Sequence, residues 1–163
     1  MTTPPPLVPA SRSAVFTLFL ATMAVSHGVL AVSWWAPATP GRAAGVDWVA
    51  PWMTTHVIAA LWTVAAVAAL IGAILGFLHG RRARQALVWI GVLLVVIPAL
   101  VGGYFLGSTI VWWDSNTGMG SESGWITAAA YLTRALISLW ALGVHVGIFD
   151  GPMRTGGSDD SDH

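Results

Sequence analysis

Apolar residues fall into four long runs, divided by short stretches where prolines, glycines and charges collect. The runs extend roughly from Ala14 to Trp35, Thr54 to His79, Ala86 to Trp113 and Trp125 to Phe149. A helix needs about 20 mostly apolar residues to cross the hydrocarbon of a bilayer, where no water satisfies a free backbone amide. Each run is long enough. The first three contain no Lys, Arg, Asp or Glu, and the fourth contains only Arg134. The pattern predicts an all-α, polytopic membrane protein, a bundle of four transmembrane helices embedded in a lipid bilayer.

The stretches between the runs read as breaks. Met1 to Ser13 carries Pro4, Pro5, Pro6 and Pro9 and is expected to be an irregular, disordered tail. Ala36 to Met53 is a loop broken by Pro37, Pro40, Gly41 and Pro51, and Gly80 to Gln85 is a short turn. Asp114 to Gly124 is polar and glycine-rich. Residues 150–163 form an acidic Ser/Gly-rich tail with too little apolar surface to build a core, and are expected to be disordered.

Basic residues orient the bundle. Arg81, Arg82 and Arg84 lie together after the second run, while the loops of the opposite side hold only Arg42. The positive-inside rule then places the Arg81–Arg84 turn in the cytoplasm, with both termini cytoplasmic, in a bacterial-type inner membrane. Arg12, just ahead of the first run, agrees. Ala24-Val25-Ser26 is a passable small-residue cleavage site, but the apolar run continues past it to Trp35 and is long for a signal peptide.

Composition strengthens this picture. The chain is 56% hydrophobic and 9% charged, where a soluble domain carries about 25% charged residues. Seven basic and seven acidic residues cancel, so no net field attracts nucleic acid. The absence of Cys excludes disulfides, thiolate metal sites and thiol catalysis. Seven of the ten Trp residues (Trp34, Trp35, Trp48, Trp52, Trp112, Trp113 and Trp125) gather at the expected outer boundary. They read as interfacial anchors or as an aromatic surface for a partner. Small residues recur every four positions at Gly72, Gly76 and Gly80, at Gly103 and Gly107, and at Gly143 and Gly147. Such spacing lets helix backbones approach closely, within the bundle or between copies. Pro98 is expected to kink the third helix.

Candidate chemistry concentrates on the fourth run. Thr127, Tyr131, Arg134, Ser138 and His145 fall within an arc of about 60° on a helix, a polar stripe along a membrane span. Arg134 lies nine residues past Trp125, about 13 Å below the boundary and so near mid-membrane. A charge there costs at least about 2.5 kcal/mol, and no span holds a carboxylate to offset it. The answering group is a cofactor carboxylate, an anion, a lipid phosphate or a partner subunit. The structural alternative is donation to carbonyls near Pro98 and to Tyr104 or Ser108.

Four of the five histidines lie in or at the ends of runs. His27 and His56 share one half of the membrane, and His79 and His145 the other. Two histidines on facing helices can ligate haem iron. By distance from their neighbouring Trp residues, His27 and His56 differ in depth by about 5 Å, which helix tilt could absorb. The stretch Thr22-Met23-Ala24-Val25-Ser26-His27-Gly28-Val29-Leu30, followed by Trp34-Trp35, resembles the haem-ligating second helix of haem–copper oxidase subunit I. The resemblance implies His27 as a haem ligand. It is confined to this stretch, and the chain lacks that family's multi-helix body and copper histidines.

No phosphate loop, nucleophile elbow, zinc-protease motif or dinucleotide fingerprint is present, so no catalytic residue is assigned. These features lead to an expected small subunit of a redox or respiratory membrane complex, binding haem b or quinone or purely accessory. His27, His56, Tyr131, Arg134 and His145 are the candidate binding residues, and His27 and His56 the candidate iron ligands. A larger membrane-protein partner or self-association is expected. The alternative is a small anion transporter, channel or envelope-assembly factor, with Arg134 selecting the anion.

Overall fold

Four helices follow from the four apolar runs. A computed structural model describes residues 10–37, 54–78, 81–114 and 124–148, with the side chains of residues 10–13 and 112 outside that description. Helix α1 is Ala10–Trp35, α2 Thr55–Leu75, α3 Arg81–Asp114 and α4 Gly124–Val146. No strand occurs among the described residues. Every helix is long and apolar enough to span a membrane, and the chain is a multi-pass membrane protein. Much of its exposed surface is Val, Leu, Ile, Phe and Trp, with Phe77 and Trp89 among the most exposed. Acyl chains cover such a surface without penalty, whereas water would not.

The ends differ from the expected ones in ways that local chemistry explains. α1 begins at Ala10, inside the expected tail. α3 begins at Arg81, so the expected turn over Gly80 to Gln85 is helix from its second residue. Arg, Ala and Gln are all good helix formers, and the three arginines occupy the first turn of α3. Thr54 caps α2 by accepting a hydrogen bond from the Val57 amide at 3.3 Å. α4 stops at Val146, three residues short of the expected end. Gly147 takes φ 79° there, and the Ile148 amide donates to the Gly143 carbonyl at 2.9 Å. That is a Schellman stop, which needs a residue tolerant of left-handed backbone. α3 runs unbroken through Pro98, which is fully buried.

The helices form a ring in chain order. α1 packs closely on α2 and α3 on α4, while α2 meets α3 and α1 meets α4 along sparser seams. Glycines set the close pairs. A Cβ on Gly72 would lie 3.0 Å from Leu20 of α1, and one on Gly76 would collide with the Thr17 side chain. Between α3 and α4 the close approaches are at Gly91, against Leu142, and at Gly102, against Leu132. The four-residue spacing found Gly72 and Gly76 but not these two. Gly103, singled out by that spacing, faces open space. Gly80 lies outside the described residues.

Candidate functional site

The polar stripe of α4 faces α1. Phe16 of α1 stacks on His145 with ring centroids 4.2 Å apart. At the other end of the seam the Trp34 indole N–H donates to the Tyr131 hydroxyl at 3.1 Å, a buried bond. These two contacts fix the register. His27 is seven residues inward from Trp34, and Ser138 is seven inward from Tyr131. His27 is also eleven residues from Phe16, and Arg134 is eleven from His145. His27 therefore lies level with the segment from Arg134 to Ser138.

Burial divides the stripe. Tyr131 and Ser138 point inward, while Thr127, Arg134 and His145 are half-buried along the edge of the seam. Arg134 donates to the Ala130 carbonyl of its own helix at 3.5 Å, a long bond. The expected donation toward Pro98, Tyr104 or Ser108 of α3 does not form. Helical side chains lean toward the helix N-terminus, so the guanidinium reaches back along the exposed Ala130.

His27 is fully buried, and neither of its ring nitrogens has a hydrogen-bond partner. The Met23 carbonyl one turn back is close enough to act on the ring but does not complete a hydrogen bond. Trp62 Nε1 and the Ser138 and Ser108 hydroxyls are likewise buried without partners. Each buried polar group left unpaired costs about 1–3 kcal/mol, so this interior is polar at a net expense in stability. Sequence spacing did not single out Trp62, because it sits inside an apolar run whose in-phase positions one turn either side are Ile58, Ala59, Ala65 and Ala66.

The rings form a connected group. His27 stacks on Trp62 at 5.2 Å. Trp62 meets Tyr131 at 4.9 Å. Tyr131 meets Phe105 at 6.0 Å and Phe105 meets Trp34 at 5.9 Å. This group fills the bundle between mid-membrane and the Trp34 end. Trp34 is thus a core residue and not the interfacial anchor it was expected to be. Trp35, Trp113 and Trp125 are exposed at the same end. Trp48, Trp52 and the Trp112 side chain lie outside the described residues.

The candidate iron pair is not brought together. His56 is exposed and lies against Trp35 at 5.6 Å, whereas His27 is interior and level with Trp62. His56 is six residues from Trp62, about 9 Å along α2. The two imidazoles occupy different levels and different faces, and Trp62 fills the space beside His27. Among the described residues no three His, Cys, Asp or Glu side chains gather as a metal site. His79 lies outside them. The local resemblance around His27 therefore does not extend to a second ligand on α2.

Asp114 is the one carboxylate among the described residues. Leu132 is level with Gly102, and Asp114 lies twelve residues beyond Gly102, about 18 Å along α3. It cannot neutralise Arg134. The seam thus offers one uncompensated guanidinium, a row of small or hydroxyl-bearing neighbours and a sealed polar interior behind them. No protein-family model matches the chain, and no curated protein or solved structure matches it either.

Proposed function

We propose that this protein is a small accessory subunit of a redox assembly in the cytoplasmic membrane, with no catalytic group of its own. Its α1/α4 seam is the binding face, and the arginine-bearing start of α3 faces the cytoplasm. One observation carries the proposal: Arg134 sits in the fourth span with no carboxylate in any span to answer it. A lone charge at such depth marks a functional contact by default.

The alternatives fit less well. A bis-histidine haem needs His27 and His56 on a common axis, and their levels and faces differ. A quinone would have to use the exposed edge, because His27 and Ser138 are closed off behind it. The redox element rests on the ring series from His27 through Trp62 and Tyr131 to Phe105 and Trp34, whose steps of 4.9–6.0 Å suit an aromatic path beside a redox partner.

Purification from native membranes in mild detergent tests the proposal. The expected result is co-purification with a larger subunit that carries a reducible cofactor, while the isolated chain gives a flat reduced-minus-oxidised spectrum. Purification alone, or with a partner holding no redox centre, overturns it.

Anion conduction is the second reading, favoured by the half-exposed Arg134 on a stripe that runs most of the length of α4. The Trp34–Tyr131 bond on one side and the Phe16–His145 stack on the other close that stripe at both ends. Anion flux in liposomes that disappears in Arg134→Leu would establish conduction in place of the accessory role.

A further inference from the structure

We propose that Arg134 is the docking point for a transmembrane helix of another protein that carries an Asp or Glu within its span. The inference rests on the accessory-subunit reading only in requiring a partner, and it names the chemistry of that partner.

Depth excludes the lipid source of negative charge. Arg134 is ten residues from Gly124, so its Cα lies about 15 Å inside the Gly124 end, half of a core about 30 Å thick. Its guanidinium reaches back to the carbonyl of Ala130, which is itself six residues, or about 9 Å, inside that end. Headgroup phosphates lie beyond the hydrocarbon and do not come that deep. Sequence excludes a second copy of this chain, because no span contains an Asp or Glu that could answer Arg134 at its own level. Asp114, at the end of α3, is too shallow.

The face around Arg134 admits a helix. Thr127 and Ala130 lie seven and four residues before it on the same edge of α4, and the exposed Ile137 flanks it one turn further on. Thr127 is half-buried and Ala130 exposed. Small side chains there let a second backbone approach until a carboxylate meets the guanidinium fork. A bidentate Arg–carboxylate pair satisfies both charges with two parallel hydrogen bonds. In hydrocarbon neither partner has water to turn to, so the pair selects its partner as well as holding it.

The probe is a leucine-rich transmembrane peptide with a single Glu about ten residues from one end, compared with the same peptide bearing Gln or Leu there. Association with the full-length protein is read by energy transfer in phosphatidylcholine vesicles. The Glu peptide is expected to associate roughly tenfold more tightly than the Leu peptide, with Gln between. Arg134→Leu should bring all three to the Leu level, and Arg134→Lys should keep part of the preference. Ala130→Leu leaves the charge in place on an exposed position and should weaken Glu-peptide binding by filling the approach, so the test does not depend on one variant folding.

Equal binding of the three peptides overturns the proposal. So does a Glu preference that survives Arg134→Leu, or one abolished by phosphatidylglycerol, which would make lipid phosphate the ligand. Energy transfer between copies of the protein that depends on Arg134 would make the partner a second copy and overturns it too. A native partner without redox centres would end the redox reading and leave this pairing standing. Equal peptide binding would end the pairing and leave the co-purification result untouched.

Discussion

Helix α1 packs on two neighbours by different physics. Against α2 the contact is close and mostly apolar, set by Gly72 and Gly76 receiving Leu20 and Thr17, with one exposed hydrogen bond from Trp35 to Thr63. Against α4 the contact is sparser and polar, made of a ring stack, one buried hydrogen bond and a row of groups that includes Arg134 and Ser138. In lipid the hydrophobic effect does not drive helices together, so fit and hydrogen bonding do. The first seam has the fit. The second gives up fit and keeps polar groups, three of whose positions (His27, Ser138 and His145) contain buried atoms with no partner. A bundle selected only for stability would have filled that seam with alanine and leucine.

The comparison can be broken most forcefully at the close seam. Gly76→Leu puts a side chain where Thr17 already lies, and overpacking of this kind costs about 1–3 kcal/mol. A clear fall in thermal midpoint in detergent is expected. An unchanged midpoint would mean that α1 and α2 are not held by this contact.

The opposite sign is expected at the polar seam. His27→Leu removes a buried ring whose two nitrogens are unpaired and leaves an apolar side chain near Trp62. Stability should hold or rise, by up to about 1–3 kcal/mol. Ser138→Ala should behave alike. A marked loss of stability in either variant would show that the interior groups are already satisfied, and the contrast between the seams would fail.

Smaller effects sharpen it. A double-mutant cycle of Trp34→Phe and Tyr131→Phe isolates the buried bond of the polar seam, with an expected coupling of about 0.5–1.5 kcal/mol. The exposed counterpart is the Trp35 indole donating to the Thr63 hydroxyl at 3.1 Å across the close seam. Thr63→Val should cost about 0.5 kcal/mol or less, the low end for a hydrogen bond. If the exposed bond proves the stronger of the two, the buried one does not fasten α1 to α4.

Much of the fold was legible in the chain because hydrocarbon imposes so simple a rule. Four apolar runs of sufficient length, three of them without a charge, admit little but four spanning helices, and the 3.6-residue period placed Thr127, Tyr131, Arg134, Ser138 and His145 on one edge of α4. The same reasoning could not choose between glycines. Gly102 and Gly103 are adjacent and alike in sequence, yet one receives Leu132 and the other faces open space. It also paired His27 with His56 by depth alone, since a linear sequence carries no statement of which way each helix is turned.

The sequence by itself determined that the chain lives in hydrocarbon, that four of its runs form membrane-spanning helices and that one guanidinium lies among them without a counter-charge. These follow from length, apolarity and the position of a single charge, all of which are local. Tertiary structure alone decided that the stripe faces α1, with Tyr131 also touching Phe105 of α3, that Trp62 occupies the space beside His27, and that Arg134 stands at the rim. Those outcomes depend on the rotation and order of packed helices, which steric fit between distant residues sets and no periodicity encodes.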